Sequence, residues 1–392
     1  MRFHAGAVVA VSLAACGPRY AKLDVDRIQS VAVGVDDAAQ RFCAYAAVPL
    51  RAVVTYTDGK QARSRTPADG ERGFLRTSEF AWGVNHGTIN SLGVLALPTD
   101  PLAWYDEPIR IDVSVVARPT IVAEGVVEPR FDCGGTVDLR GAAGARGGEG
   151  EDGGPGAPGP TVEVALAYLE TQHHGRLALV RTRRDDDPPE YFVIAAARSP
   201  KPFVLDVSGG DGGWAGQGVA GADGLPGIPG RPGIDADPAS CADGGPGGDG
   251  GDGELGTPGG DGARGGDGAR GGHVVVRYDA RFPELASLID VRVDGGAAGL
   301  AGTAGEGGRG GTGGAAGAGG RAGTAGEGCP AVDGPAGLAG EPGVDGPAGL
   351  DGEGGVAGPP GTVEQVASDV AVLFADELGR GLPVGGAAGG GA

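Results

Sequence analysis

Residues 244–271 read GGPGGDGGDGELGTPGGDGARGGDGARG, with glycine at Gly244, Gly247, Gly250, Gly253, Gly256, Gly259, Gly262, Gly265, Gly268 and Gly271 without a miss. Glycine is abundant, at 84 of 392 residues, but abundance alone does not hold one phase over so many triplets. A fixed short period marks a repeated structural unit. The unit with three residues per turn is the polyproline-II helix, which places every third side chain on one edge. When that edge carries only hydrogen, another backbone can come close enough to hydrogen-bond to it.

The same phase recurs on both sides of this stretch, defining glycine-rich arms at 141–159, 209–233, 244–271, 296–326 and 334–361. Prolines such as Pro226, Pro229, Pro232, Pro342, Pro359 and Pro360 preset the φ that the helix requires. At roughly 3.1 Å per residue, the longer arms extend on the order of 80 to 95 Å. The register resembles collagen-like proteins most closely at Gly334-Pro335-Ala336-Gly337-Leu338-Ala339-Gly340-Glu341-Pro342-Gly343. That resemblance implies, as one alternative, a triple helix and a homotrimer. Collagen needs only one glycine edge, whereas Gly245, Gly248, Gly251, Gly260 and Gly266 form a second edge in 244–271. Gly307, Gly310, Gly313 and Gly319 do the same in 296–326. Extra bare edges call for neighbours on several sides, as in the polyglycine-II bundles of some glycine-rich antifreeze proteins and phage-fibre tips, so an intramolecular bundle is the leading expectation.

Between the arms lie short apolar or alternating segments: 136–139, 161–168, 177–182, 191–196, 203–207, 273–278 and 288–293. They predict a second β domain, 134–378, from which 209–233 goes out and 244–271 returns, and 296–326 goes out and 334–361 returns. The turns then fall near 234–241 and 328–333. The segment from Thr362 is ambiguous, because Val363, Val366, Ala367, Val370 and Phe374 have helical spacing while 370–374 also reads as a strand. Residues 379–392 read as a flexible Gly-rich tail.

Upstream, residues 24–133 read as strands and turns. PLRAVVTYT (49–57) alternates before the turn pair Asp58-Gly59, and IRIDVSVV (109–116) alternates likewise. Regular short strands of this kind suggest a two-sheet sandwich. The run 53–59, with Phe80-Ala81-Trp82 and then 87–95, resembles bacterial Ig-like modules of surface proteins. The resemblance implies a buried core position for Trp82. The fold expected for the whole chain is therefore mainly β: an N-terminal Ig-like sandwich and a second β domain bearing glycine-rich arms.

The N-terminus places Arg2 before an apolar run, 5–15, too short to span a bilayer, which is the layout of a secretory signal peptide. Leu13-Ala14-Ala15-Cys16 resembles the lipobox of bacterial lipoproteins. That implies a signal peptide at 1–15, a lipidated linker at 16–23 and a diacylglycerol on the Cys16 thiol. With Gly17 next, the resemblance further implies an outer-membrane or cell-surface location anchored by lipid. Cys43, Cys133, Cys241 and Cys329 remain, an even number in an oxidising compartment. The favoured pairing is Cys43 with Cys133, bracketing the first domain, and Cys241 with Cys329, at adjacent arm tips.

With 51 acidic against 31 basic residues and a net charge of -20, nucleic acid is excluded as a partner. Gly251-Asp252-Gly253-Glu254-Leu255-Gly256 matches a dinucleotide fingerprint in letters only, since no strand precedes it and no helix follows. Gly244-Gly245-Pro246-Gly247-Gly248-Asp249 opens like a calcium-binding nonapeptide, but the period is three rather than nine. Asp249, Asp252, Asp261 and Asp267 are expected to be solvated, or at most weak calcium ligands. His173-His174 near Asp185, Asp186 and Asp187 reads as a polar loop, because adjacent histidines on a strand face opposite ways. No CxxC pair and no serine in a nucleophile elbow occurs, so no catalytic residue, cofactor or metal site is expected. What remains is a non-enzymatic structural or adhesive protein displaying Arg264, Asp267 and Arg270 on outer edges. Extracellular matrix, glycan or other cells are its candidate partners. The second candidate is a module that binds a glycan or an ordered surface, ice included, through the repeat lattice.

Overall fold

The computed structural model describes residues 20–35, 40–65, 74–185 and 187–385. The chain is mainly β, with several sheets. Near the N-terminus, Ile28–Gly34, Arg51–Tyr56, Gln61–Arg65 and Leu75–Arg76 make one four-stranded sheet. Arg41–Cys43, Arg118–Arg130, Ile109–Val115 and Phe80–Val84 make another. Their apolar alternate positions meet in a core of Ile28, Val31, Ala52, Val54, Phe80, Val113 and Val115. IRIDVSV buries Ile109, Ile111, Val113 and Val115 while Arg110 and Asp112 stay outside, as a period of two requires.

Two further sheets organise the glycine arms. Gly135–Asp138, Phe203–Asp206 and Ile289–Arg292 form a three-stranded parallel sheet. Glu190–Ala195, Arg176–Arg184, Thr161–Glu170, His273–Asp279 and Thr362–Ser368 form a five-stranded one, in which Thr161, His273 and Thr362 lie side by side in parallel. Val162, Val164, Leu166, Phe203, Leu205, Val207, Val274 and Val276 fill the space between the two sheets. The opposite face of the five-stranded sheet, through Ala165, Leu169, Leu177, Leu179 and Val193, packs on Phe42, Trp104, Phe131 and Phe374. A strand covered on both faces has no polar side, which is why VEVALAYL stops alternating: Val164 to Leu169 are all buried. One core thus runs across the boundary expected at Cys133, and the two β regions are packed as a unit.

Each outgoing arm leaves from the three-stranded sheet and each returning arm enters the five-stranded one. In chain order the arms are arm 1 (141–147), arm 2 (153–159), arm 3 (209–233), arm 4 (244–271), arm 5 (296–323) and arm 6 (334–361). The strand ladder passes into the arm ladder without a break: Leu139 N–H donates to Asp206 O at 2.8 Å, Gly141 N–H to Ser208 O at 2.9 Å and Gly144 N–H to Asp211 O at 2.8 Å. Strands lie about 4.8 Å apart, so parallel strands deliver the chain at a spacing at which glycine backbones can bond. The first glycine run differs from the single arm expected. It turns back at 148–151, where Gly150 takes φ +72° and Glu151 N–H donates to Gly148 O, and so forms arms 1 and 2.

Two disulfides close the framework, Cys43–Cys133 and Cys241–Cys329, the latter joining the tip of arms 3 and 4 to that of arms 5 and 6. Trp82 is only half-buried, its Nε1 donating to Thr77 O; the fully buried tryptophan is Trp104, stacked on Phe131. In the ambiguous C-terminal segment the strand lies at the start and not at 370–374, which is helical instead. Thr362–Ser368 is a strand, and Val370–Leu373 begins a helical turn capped by Asp369, whose carboxylate accepts from Ala371 N–H. No helix among the described residues is long and apolar enough to cross a membrane.

Candidate interaction surface

Arms 1, 3 and 5 form one layer of parallel segments and arms 2, 4 and 6 the other. Within a layer, Gly212 N–H reaches Ala297 O and Gly253 N–H reaches Glu341 O, at 2.8 and 2.9 Å. Between layers, Gly251 N–H reaches Ile228 O, Gly314 N–H reaches Gly251 O and Gly340 N–H reaches Gly314 O, at 2.8, 2.8 and 2.9 Å. An interior arm therefore donates to two neighbours in two of its three phases. A methyl group on Gly253 would stand 2.0 Å from Gly311 O, and one on Gly310 would stand 2.0 Å from Gly343 O. The second glycine edge of 296–326 meets arm 6 in this way, whereas on that of 244–271 methyls at Gly245, Gly248, Gly251 and Gly260 would stand 3.1 to 3.4 Å from the backbone of 219–234, in and just past arm 3.

The aspartates have a role that the sequence reading missed. Gly250 N–H donates to Leu338 O at 2.8 Å, while Leu338 N–H donates to Asp249 Oδ1 at 2.7 Å, so one Asp-Gly pair holds both polar groups of one residue opposite. Asp252-Gly253 grips Glu341 likewise, Asp261-Gly262 grips Leu350 and Asp267-Gly268 grips Val356. The device also ties arm 3 to arm 5, through Asp211 on Ala297 and Asp223 on Arg309, and arm 2 to arm 4, through Asp152 on Arg264. From arm 6, Asp345 and Asp351 accept N–H groups of arm 5, at Gly310 and Ala304. Asp249, Asp252, Asp261 and Asp267 are thus not solvated spacers but backbone clamps. The Val356 N–H, with the Arg264 guanidinium close by, holds the Asp267 carboxyl below its usual range. Arg264 itself is paired with Asp267 at 2.7 Å, so two of the three residues expected to form a contact surface are engaged with each other. A signal was present in the sequence: these aspartates stand immediately before an in-register glycine.

Because the interior is glycine, the large apolar side chains of the longer arms face outward. On arm 3 the row Gly210, Gly213, Gly216 lies against arm 1, where a methyl on Gly213 would meet Ala145 O at 1.9 Å. Once arm 1 has turned back, the same row continues as Val219, Ala222, Leu225, Ile228, Arg231 and Ile234, and its four Val, Leu and Ile residues are exposed. Arm 6, with Val332 just ahead of it, carries a second exposed row of Val332, Leu338, Val344, Leu350 and Val356. Trp214, 56 % exposed, borders a groove of about 510 Å³ with Gln217, Glu149, Leu300 and Thr303, and the Arg146 guanidinium stands 5.7 Å from its ring. A groove of about 530 Å³ on the N-terminal sheets is lined by Trp82, Asp112, Val122 and Glu124.

The other residues singled out in the sequence are dispersed. Cys16 lies outside the described residues. His173 Nδ1 stands 3.4 Å from an Asp106 carboxylate, whereas His174 sits edge-on to Phe131 with a buried Nε2, and that burial lowers its pKa. Asp187 pairs with Arg184 instead, and Asp186 is not among the described residues. No group of three or more metal-ligating side chains occurs among the described residues. Residues 251–256 lie in the middle of arm 4, with no strand before them and no helix after. Glu377 is fully buried and accepts from the Tyr191 hydroxyl at 2.7 Å and from Arg181 at 3.1 Å. Burial raises its pKa, but those hydrogen bonds and the Arg181 charge outweigh burial and leave the carboxyl below its usual range. This cluster fastens the C-terminal helical turns to the five-stranded sheet. Neither a family model, nor a curated protein, nor a solved structure matches the chain.

Proposed function

We propose that the chain is a non-enzymatic lipoprotein with a structural or adhesive role at the outer membrane or cell surface, anchored through a lipid on Cys16. On this reading the N-terminal sheets are an Ig-like module that acts, with the second β region, as a stalk. The arms form a polyglycine-II bundle that the stalk presents to extracellular matrix, glycans or other cells. The observation that carries the proposal is that the arms satisfy one another's backbone groups within one chain. This stiffens the bundle and leaves its outer side chains for contact. It also favours a bundle over a collagen-like triple helix, because interior arms already donate to two neighbours and no third chain is needed.

The anchor is tested by labelling cells with radioactive fatty acid: label enters the wild-type chain, and Cys16→Ser abolishes it. Display is tested by shortening the bundle, replacing 219–259 and 305–346 each with a short turn so that the strands His273–Asp279 and Ile289–Arg292 are kept, and measuring retention of cells on matrix. Unchanged retention would remove the adhesive role.

One observation favours a second reading, glycan recognition. Trp214 is the single aromatic residue of the arms; it is exposed, and Arg146 stands over its ring beside a polar-rimmed groove. A flat aromatic face suits sugar C–H groups. On a glycan array Trp214→Ala is expected to lose at least tenfold in signal; equal signals for the two chains would leave the groove without this role. Charged Glu306 and Arg309, exposed on the outer row of arm 5, argue against a lattice match to ice.

A further inference from the structure

The exposed outer row of arm 6 has an order of its own. Read every third residue, it runs Val332, Pro335, Leu338, Glu341, Val344, Pro347, Leu350, Glu353, Val356. Each of these side chains is exposed, with Leu338 and Leu350 both at 74 % and Val344 at 70 %. At three residues per turn they stand on one edge, with apolar Val and Leu about 19 Å apart over a span of about 75 Å. The bundle cannot bury this edge itself, because its interior has no room for a side chain larger than a methyl. Five exposed Val and Leu residues, separated in turn by Pro335, Glu341, Pro347 and Glu353, together expose an apolar area of roughly 300–600 Å², the size at which a monomer's largest patch is commonly functional.

The order of the row selects its partner. Turn a second copy end for end about Val344, and Val332 meets Val356, Leu338 meets Leu350 and Val344 meets Val344. Glu341 then faces Pro347, and Glu353 faces Pro335. In this register every Val and Leu meets a Val or Leu, and no glutamate meets a glutamate. The parallel alignment without a shift sets Glu341 on Glu341 and Glu353 on Glu353, which like charges disfavour. We propose that arm 6 is a self-association edge on which a second copy of this chain docks antiparallel, with a two-fold axis at Val344. Two such strips, with each glutamate lying over a proline of the partner copy, together approach the roughly 1,000 Å² at which an interface becomes specific. Isologous two-fold pairing also closes on itself, so it yields a dimer rather than a fibre. The pairing rests on the edge alone and not on the lipid anchor. Joined to the anchor proposed above, it sets two stalks pointing opposite ways, the arrangement of copies on two facing surfaces.

The test uses the whole chain carrying Cys16→Ser, so that an introduced cysteine is the one thiol outside the Cys43–Cys133 and Cys241–Cys329 disulfides. Under oxidation Val344→Cys is expected to crosslink to itself. Pro335→Cys should not crosslink to itself, but should crosslink to Glu353→Cys in a mixture. In sedimentation equilibrium, Leu338→Glu with Leu350→Glu is expected to weaken dimerisation at least a hundredfold, whereas Leu225→Glu with Ile228→Glu on the arm 3 edge leaves it unchanged. Retained protection of arm amides against exchange shows that each variant is folded. A chain that stays monomeric at millimolar concentration overturns the proposal. So does equal crosslinking at Pro335→Cys alone, or loss of the dimer through the arm 3 pair instead. A failed dimer leaves fatty-acid labelling and matrix retention untouched, so the two proposals fall separately.

Discussion

The five-stranded sheet and the glycine bundle are joined end to end yet are held together by opposite means. In the sheet, Val164 to Leu169 and Leu177 to Val180 exclude water with side chains, and apolar residues cover both faces. In the bundle the interior is backbone apart from the methyls of Ala215 and Ala263, and each arm is fixed by N–H groups donated to neighbours at 2.6 to 3.2 Å. Burial is non-directional and roughly proportional to area, whereas a hydrogen-bond ladder is directional and fails wherever geometry fails. The sheet should therefore tolerate shape changes that keep volume, while the bundle should tolerate almost anything on its outer edges and nothing on its inner ones.

The sharpest way to break this contrast is to remove side-chain volume from the shared core. Trp104 is fully buried and stacks on Phe131 at a ring-centroid distance of 6.2 Å. Trp104→Ala is expected to cost about 3–5 kcal/mol and to lower the thermal transition of both β regions together, since one core serves both. Separate melting of the N-terminal sheets by calorimetry would refute the shared core. Next in size is Gly253→Val. Its side chain must displace Gly311 O, so a cost of about 1–3 kcal/mol is expected from overpacking alone, with amide exchange accelerating along arms 3 to 6 while the sheets stay protected. The matching outer-edge change, Ala339→Val on arm 6, should leave exchange unaltered.

Much of this contrast was legible in the sequence, because a period of three is unambiguous once glycine keeps phase. The return of arm 3 into arm 4 and of arm 5 into arm 6 also followed, with Cys241 and Cys329 at adjacent tips. The first glycine run hid its turn, because Gly147, Gly150 and Gly153 keep the period through the point where the chain reverses. The resemblance to Ig-like modules points to Trp82 as the core tryptophan, whereas Trp82 is half-buried. Trp104, beside a short 3-10 turn at Pro101–Ala103, had no periodic context to reveal it. The shared core was invisible because VEVALAYL states that both faces are covered but not by what. The Asp-Gly clamps were overlooked because a charged residue on a solvent edge is ordinarily read as a solubilising one.

A pH titration sharpens the comparison further, since the two regions use carboxylates differently. The Glu377 carboxyl is held below its ordinary 4.5 once burial is outweighed by Tyr191 and Arg181. A group whose pKa is lower folded than unfolded stabilises the fold above its unfolded value, and that stability is lost as pH falls through the folded value. The C-terminal helical turns should therefore detach on acidification below about pH 4.5, with protection lost first near Ala375–Gly379. Glu377→Gln should flatten this dependence. If wild type and Glu377→Gln lose protection at the same pH, the latch lies elsewhere.

The smallest effect is the most diagnostic of how the bundle is built. Asp252 Oδ1 accepts the Glu341 N–H at 2.8 Å, while Gly253 N–H donates to Glu341 O, so the pair reads backbone and ignores the side chain opposite. Removing the acceptor with Asp252→Ala should cost about 0.5–1.5 kcal/mol, the net worth of one hydrogen bond, and expose the Glu341 amide to exchange. Asp252→Asn keeps a carbonyl oxygen at the same reach and should retain most of that protection. Asp252→Glu keeps the charge but moves the oxygen one methylene outward and should behave more like alanine. If the charge alone mattered, Glu would rescue and Asn would fail. The opposite ranking, Asn above Glu, is what a length-specific clamp requires.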